Sequence, residues 1–537
     1  MSLFQLFNIG VTSLYASQAG LSVVSNNIAN ANTPGYNKQD VILEILSPLD
    51  IGSGYMGMGV TVAGIKSTSD RFIQAQLYYQ QQNMGRSSAL EQSLSQIEQI
   101  FNEAKEAGLS SPIANFFDAW NDVATDPTSQ AARNVLLQNA DVLVLAAQRM
   151  ENRINQTINE SRIGIDDAVD QINTIADDIA RLNELIVIAE AGQGERANDF
   201  RNQRDEYLNT LSALIENTWH EDVDGSITIA IGMRNLVAGT STNTLSTTID
   251  TSGNKNLFLD GINITSHVTM GKVSGLLSAG SEIQTGSLAG LRKLIASVTK
   301  EINLLHEQGY GLDGTTGNSF FSSLQVSTKN LSASASITGS ITDITQVNLD
   351  EYSVSFSAGN YSVTDKQTGA VAISGAYVSG NPINFNGIQI TITGAVTAAD
   401  TFEVSPLTDA IKNFNVALSD ANKVAAASAA GDLPGDNSMA LQIAAITDTA
   451  ISNLSSSTFT EFYQGLVTTV GSLSRAAADS STFDENLLAE IKTRRDSASG
   501  VSLDEEAANL IRYQRAYEAG AKMIQVADEL IQAVLNI

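Results

Sequence analysis

Few residues in this chain have the types and spacing that chemistry needs. "GSGYMG", Gly52 to Gly57, fits the GxGxxG pattern of a dinucleotide-binding turn. That chemistry requires a strand before the glycines and a helix N-terminus after them, so that backbone amides and the helix dipole meet a pyrophosphate. Here "MGVTVAG" follows, which reads as a strand, and no acidic residue stands in the right context about 20 positions on. A glycine-rich turn is expected instead. "DVDG", Asp222 to Gly225, opens like a calcium loop, but the twelfth position is Met233 where a bidentate acid belongs. A turn leading into a strand is expected there too. The three histidines, His220, His267 and His306, show neither HxH nor HxxxH spacing, which argues against zinc. There is no cysteine, so thiolate metal sites, disulfides and cysteine nucleophiles are excluded. No GxSxG elbow is present. With 58 acidic residues, finding a carboxylate pair carries no information. The expectation is no catalytic residue, no cofactor and no metal site.

Composition points the same way. The 537 residues allow roughly three or four domains. The net charge of −28 repels phosphate backbones and anionic lipid surfaces, which disfavours nucleic acid and membrane as partners. The first basic residue is Lys38, so a secretory signal with a basic start is not expected, and no run approaches the roughly 20 apolar residues of a membrane span.

The elements that would position anything are mostly helical. Phe7, Leu14, Leu21 and Ile28 recur every seven residues, with Leu3 and Val24 beside them, a narrow heptad seam. The far end matches it with Leu503, Leu510, Tyr517, Ile524 and Ile531, and with Tyr513, Gly520, Ala527 and Val534 at the other core position. The pattern leaves open whether these ends pair within the chain or pack against other subunits. Between them, residues 86–105 and 112–124 have helical spacing. Asp126-Pro127-Thr128 signals the start of a helix carrying Val135, Leu136, Val142 and Leu145. Ile165, Ile172, Ile179 and Ile186, with Ile175 and Leu182, mark a third heptad. Strand alternation appears at Ile227, Ile229 and Ile231, and again through 331–409, where Tyr352, Val354 and Phe356 alternate, as do Ile388, Ile390 and Ile392. Asn386-Gly387 is a hairpin signal. Helical spacing returns near Leu291–Leu305 and from about 459 onward, and 424–458 reads as a loop running into helix. The fold class expected is mainly α with a β domain: terminal helices paired as a coiled coil (1–60 plus 500–537), a helical rod domain (61–330 plus 410–499) with a β portion near 216–270, and an inserted β domain at 331–409.

One segment remains unexplained by pattern. "SNNIANANTPGYN" ends the first apolar helix with Asn26, Asn27, Asn30 and Asn32, then Pro34, Gly35 and Tyr36. Asparagine amides compete with helix and Pro-Gly stops it. With Lys38 and Gln39 added, this stretch closely resembles the N-terminal signature of the bacterial flagellar rod, hook and hook-associated proteins. The C-terminal "DEEAANLIRYQRAYEA" resembles the other end of the same axial family, in its hook-associated form. "WNDVATDPTSQAARNVLLQNADVL", "NDFRNQRDEYLNTLS", "HEQGYGLDGTTGNSFF", "GDNSMALQIA" and "NGIQITITGAVTAADTFEVSP" extend the resemblance over most of the chain. "GLLSAGSEIQTG" departs from it, lacking the arginine that members often carry, and 240–260 and 331–380 match nothing recognised.

The resemblance implies a structural, non-catalytic protein of the hook–filament junction. It implies export unfolded through the flagellar type III apparatus without a cleaved signal, an extracellular place on the flagellum, and assembly as a ring of identical subunits on the hook protein. It implies two further partners: the second junction protein, and a cytoplasmic chaperone that holds the C-terminal helix before export. The seam residues above are then the assembly interface. The four asparagines are read as satisfying groups in a subunit interface, with a solvated helix end as the alternative. Two other functions stay in view: another axial role, as hook or distal rod protein, or an axial protein with an added cell-wall hydrolase. The 331–409 segment offers the hydrolase no cysteine or histidine.

Overall fold

The longest apolar heptad sets the frame. A computed structural model describes residues 3–50, 54–102, 108–191, 196–250, 253–331 and 335–535, without the side chains of Leu3 and Leu535. Ten α-helices lie among them: α1 Leu3–Ala29, α2 Arg71–Ile100, α3 Ser110–Thr125, α4 Gln130–Glu190, α5 Asn198–Leu214, α6 Gly271–Glu282, α7 Ala289–His306, α8 Ser438–Ala445, α9 Phe459–Ser499 and α10 Leu503–Leu535. A π-helical turn, Ile283–Leu288, joins α6 to α7. The two helical patterns read at 130–145 and 165–186 are one uninterrupted helix, α4, of 61 residues, about 90 Å long at 1.5 Å per residue. Its N-cap is Ser129, whose side chain accepts from the Ala132 amide, three residues after the Asp126 signal. Leu136 is buried, but Val135, Val142 and Leu145 face outward; the core face of this half of α4 is carried by Leu136, Ala140, Leu143, Val144 and Ala147 instead. The helix expected at 86–105 begins earlier, at Arg71, because Asp70 caps the Phe72 and Ile73 amides; it ends at Ile100, and 103–107 lie outside the described residues. The 424–458 stretch holds 3-10 turns and the short α8 before Thr458 and Glu461 form a capping box that starts α9.

Three apolar cores follow. The first gathers the N-terminal half of α4 with α3, α7, α8 and α9 around Phe116, Trp120, Phe320 and Phe321. The second packs the C-terminal half of α4 against α5, α6 and two antiparallel sheets. One sheet runs 218–221, 227–231, 234–238, 241–242, and the other has 255–259 between 245–249 and 262–263. Here Ile165, Ile172, Ile179, Ile186 and Leu182 are buried, and Ile227, Ile229 and Ile231 meet them from the sheet. The third core lies between a five-stranded sheet, ordered 327–330, 401–405, 352–357, 360–365, 371–376, and a three-stranded sheet, ordered 335–341, 388–394, 382–385. Alternation decides the buried faces: Tyr352, Val354 and Phe356 on one sheet, and Ile388, Ile390 and Ile392 on the other. Asn386 and Gly387 have φ of 43° and 71°, the left-handed pair that a two-residue hairpin demands.

The terminal helices stand apart from these cores and are reached through two connectors. On the N-terminal side, strands Gln39–Ile45 and Val60–Ser67 form an antiparallel ribbon leading to α2. On the C-terminal side only Gly500 to Ser502 separate α9 from α10. α2 and α9 run antiparallel, with Gln80 Nε2 donating to Asp484 Oδ1 at 2.9 Å and Ser474 Oγ to Glu98 Oε2 at 2.6 Å.

Candidate functional site

α1 and α10 pair within the chain, antiparallel, and glycine notches let them approach closely. A Cβ added at Gly20 would stand 2.5 Å from the Tyr513 ring; one at Gly10 would lie 2.8 Å from Ile524 Cγ1; one at Gly520 would lie 3.3 Å from Leu14. Each notch takes a large side chain from the facing helix, the knob-into-hole arrangement at an unusually short separation.

On α10 the face in contact centres on the second heptad position read in the sequence, Tyr513, Gly520 and Ala527, rather than on the Leu503 to Ile531 position. On α10 the deeply buried positions are Glu506, Gly520 and Ala527, with Tyr513 half-buried between them, all in one seven-residue register. On α1 they are Gln5, Gly10, Ala16, Ser17, Gly20, Val23, Val24 and Asn27. The expected leading seam is only partly covered. Leu14, Leu21, Ile28, Leu510, Ile524 and Ile531 are half-buried, while Phe7, Leu503 and Tyr517 are 38%, 54% and 41% exposed; Val534, at the other core position, is 60% exposed. Gly10, Gly20 and Gly520 permit the close approach and receive Ile524, Tyr513 and Leu14, while Phe7, Leu503 and Tyr517 remain on the flank. Phe4, Tyr15, Ile511 and Val526 are exposed elsewhere on the two helices, as are Ile42, Leu43 and Ile45 on the ribbon.

The asparagine segment closes one end of the pair. Asn27 is 1% exposed and uses its whole hydrogen-bonding capacity inside the chain. Its amide nitrogen donates to the Gln39 carbonyl at 2.9 Å and to Glu506 Oε2 at 3.0 Å. Its oxygen accepts from the Gln39 amide at 3.0 Å and from the Tyr36 hydroxyl at 2.9 Å. Glu506, fully buried, is also reached by Lys38 Nζ at 3.6 Å, and Lys38 bonds Glu505 at 3.1 Å. The Lys38 amide donates to the Ser499 carbonyl at 2.9 Å, tying the first connector to the second. Asn37 Nδ2 donates to Asn202 Oδ1 and Gln39 Nε2 to Asp199 Oδ1, both at 2.9 Å, anchoring the knot on α5. Burial, with the nearby Asp199 and Glu506 carboxylates, pushes the Tyr36 phenol up to about 12. Burial works against the Lys38 ammonium, but the Glu505 hydrogen bond and the Asp40, Glu505 and Glu506 charges outweigh it and raise its pKa.

The other signature residues do smaller work. Asn30 Nδ2 donates to Asn26 O and Oδ1 at 3.0 and 2.9 Å and its oxygen accepts from Thr33, closing the last turn of α1 locally. Asn26 Nδ2 reaches the Tyr36 hydroxyl at 3.3 Å. Asn32 and Pro34 are exposed, and Gly35 takes φ 77°, a left-handed turn that sends the chain into the ribbon. The reading that these amides serve a subunit interface thus gives way, for Asn27, to an account within one chain. Lys38, Gln39, Asn202 and Glu506 carry the knot; Lys38 and Gln39 stood in the sequence only as the tail of the signature, and Asn202 and Glu506 were not singled out, because the acidic run 504–506 hides the one buried acid among exposed ones.

The candidate chemistry remains scattered. Gly52 lies outside the described residues, and Gly57 leads to the strand Val60–Ser67 and no helix. Asp222 to Gly225 is a tight turn between strands, with Asp224 Oδ1 accepting from the Ser226 amide and hydroxyl. His220 and His267 are exposed; His306 is buried far along the first core. Among the described residues no group of three or more histidines or acids is placed to hold a metal, and no helix is long and apolar enough to cross a membrane.

Comparison with known proteins adds the following. A model of the flagellar hook-associated protein FlgK helical domain matches residues 94–321, and one of the flagellar hook-associated protein 1 D2-like domain matches 325–406. Models of the flagella basal body rod protein and of the flagellar basal body rod FlgEFG protein C-terminal match 7–37 and 494–537. Over its full length the chain is similar to the flagellar hook-associated protein 1 of Escherichia coli strain K12, at 28% identity covering 99% of each chain. It is similar to that of Salmonella typhimurium at 29%, again covering 99% of each, and to that of Bacillus subtilis at 24%, covering 97% of this chain and 96% of the other. Its fold is like that of the flagellar hook junction protein FlgK from Burkholderia pseudomallei, with a TM-score of 0.68 at 19% identity, covering 79% of this chain and all of that one.

Proposed function

We infer the working of a chain that belongs to the flagellar hook-associated protein 1 family and is a structural component of the flagellar hook–filament junction: it is an adaptor that assembles through its terminal helices. The observation that carries this reading is the α1–α10 pair itself. Its tight seam is satisfied within one chain by Gly10, Gly20 and Gly520, while its flank leaves Phe7, Leu503, Tyr517 and Val534 uncovered. Several large apolar side chains left uncovered on one helix pair favour a contact with another protein. The occupants we propose are identical subunits in a ring, the hook protein on one side and the second junction protein on the other. The relatives matched over their full length are named hook-associated protein 1, which favours the junction over a hook or distal rod role.

The finer points belong to the same proposal. The protein has no catalytic task. Residues 1–60 with 500–537 act as the assembly unit, 61–330 with 410–499 as the helical body and 331–409 as the outer β domain, a division supported by the separation of the three apolar cores from the terminal pair. The chain is exported unfolded by the flagellar route, with α10 held by a cytoplasmic chaperone beforehand; the absence of cysteine removes one obstacle to threading. The test is deletion of the gene in its host, followed by electron microscopy. Bare hooks and flagellin shed into the medium are expected, restored to filaments by the full chain and not by one lacking 503–537. Normal filaments in the deletion strain overturn the proposal, and a zymogram on cell-wall material from the purified chain tests the hydrolase alternative.

A further inference from the structure

We propose that Glu506 and Asn27 are the register key of the terminal helix pair: positioning residues that make α1 pair with α10 of its own chain at one offset. The inference concerns pairing within one chain and stands whatever the pair later binds. The need for a key comes from the sequence. Phe7, Leu14, Leu21 and Ile28 on α1 and Leu503 to Ile531 on α10 share a seven-residue period, so sliding α10 by one heptad preserves the apolar pattern of both helices. Apolar content alone does not choose among offsets, nor between the chain's own α10 and that of another copy.

The buried polar pair does choose. At the observed offset Glu506 stands opposite Asn27, Tyr513 opposite Gly20 and Gly520 opposite Leu14. A slip one way sets the Glu506 carboxylate against Gly20 and Leu21, where no donor waits. A slip the other way carries Glu506 past Ala29, the end of α1, and turns the Tyr513 ring toward Asn27, which then loses an acceptor it holds at 3.0 Å. Both slips leave a buried polar group unpaired, and such a group selects register more sharply than it stabilises. The same holds against foreign partners. Lys38 and Gln39 reach the key from the connector of the same chain, at 3.6 Å to Glu506 and 2.9 Å to Asn27, so the site is complete only where α1, its following residues and α10 meet. The glycine notches shape the seam, but at Gly10 and Gly520 the facing atoms belong to flexible Ile524 and Leu14 side chains that can move.

The absence of native cysteine makes the test clean. In the full chain, Leu14→Cys with Gly520→Cys reports the native offset by disulfide formation, and Leu14→Cys with Tyr513→Cys or Ala527→Cys reports each slip. A mixture of Leu14→Cys chains with Gly520→Cys chains reports exchange between copies. These probes are placed in the parent, in Glu506→Gln, in Glu506→Leu and in the double variant Asn27→Leu/Glu506→Leu, which leaves no unpaired charge. We expect only the native disulfide in the parent and in Glu506→Gln, which keeps an acceptor for Asn27. In Glu506→Leu and in the double variant, slipped plus interchain disulfides rise by about tenfold or more at unchanged helix content, as loss of about 1.4 kcal/mol or more of discrimination requires. If both leucine variants form the native disulfide alone, the key is overturned and packing at the glycine notches sets the register.

Discussion

Asn27→Ala is the sharpest test of the knot. The substitution removes four hydrogen bonds at a position 1% exposed, strands the Gln39 amide and carbonyl and leaves the Tyr36 hydroxyl with Asn26 Nδ2 alone at 3.3 Å, while Glu506 keeps Lys38 at 3.6 Å and Asn509 at 3.4 Å. Each stranded group costs about 1–3 kcal/mol, and partial access of water lowers the sum to roughly 3–5 kcal/mol. The three apolar cores do not include α1 or α10, so the loss falls on the terminal pair and leaves the body intact. Native-state hydrogen exchange on the monomer reads this directly. Protection of α10 amides around 510–524 is expected to fall by roughly 10²- to 10⁴-fold, with the main thermal transition unchanged. Asn30→Ala, whose bonds are local to one helical turn, is expected to reduce protection about tenfold at most. Equal protection of α10 in Asn27→Ala and the parent would refute the reasoning.

Other consequences follow from particular contacts. His306 is buried with its Nε2 accepting from the Ala425 amide at 2.9 Å and its other nitrogen on the Asn318 carbonyl, and burial lowers its pKa to about 4. The unfolded chain takes up that proton first, so stability is retained above about pH 6.5 and lost as pH falls towards 4, by about 3 kcal/mol; urea unfolding at stepped pH should show this slope vanish in His306→Gln. Gly85→Ala drives a methyl into the Ala213 carbonyl where α2 meets α5, and should cost several kcal/mol or block folding, whereas Gly286→Ala meets only the Glu282 side chain at 3.6 Å and should be neutral within about 0.5 kcal/mol in the same melts. Thr458→Ala breaks the α9 capping box and should cost about 1 kcal/mol.

Periodicity made the elements legible. The Ile165 to Ile186 heptad, the alternating strands and the Asn386-Gly387 turn all appear where their spacing places them, because each depends on local geometry alone. What spacing could not reveal is which side of a helix faces its partner. Gly520 fell in the second heptad position of α10, but Gly10 and Gly20 of α1 line the tight seam because they lack side chains, so a search for apolar residues passes over them. Glu506 looks like Asp504 and Glu505 until Asn27, 479 positions away, is brought beside it. The uninterrupted length of α4 was hidden similarly: its core changes partners midway, from α3 to the sheets, and the sequence pattern changes with it. Long-range polar contacts of the same sort, such as Arg204 donating to Asn183 and the Gly225 carbonyl at 3.0 and 2.7 Å, fix the second core without leaving any local pattern.

The central claim, that the uncovered stripe of the terminal pair faces other copies in the assembled junction, has a direct measurement. A single cysteine replacing Tyr517, 41% exposed in the chain, is introduced into the functional protein, hook–filament complexes are isolated, and a short bifunctional thiol crosslinker is applied; Val223→Cys, on an outer turn of the helical body, serves as the control. The account predicts a ladder of homo-oligomers from Tyr517→Cys and monomer from the control. Monomer alone from Tyr517→Cys in filament-bearing complexes would contradict it.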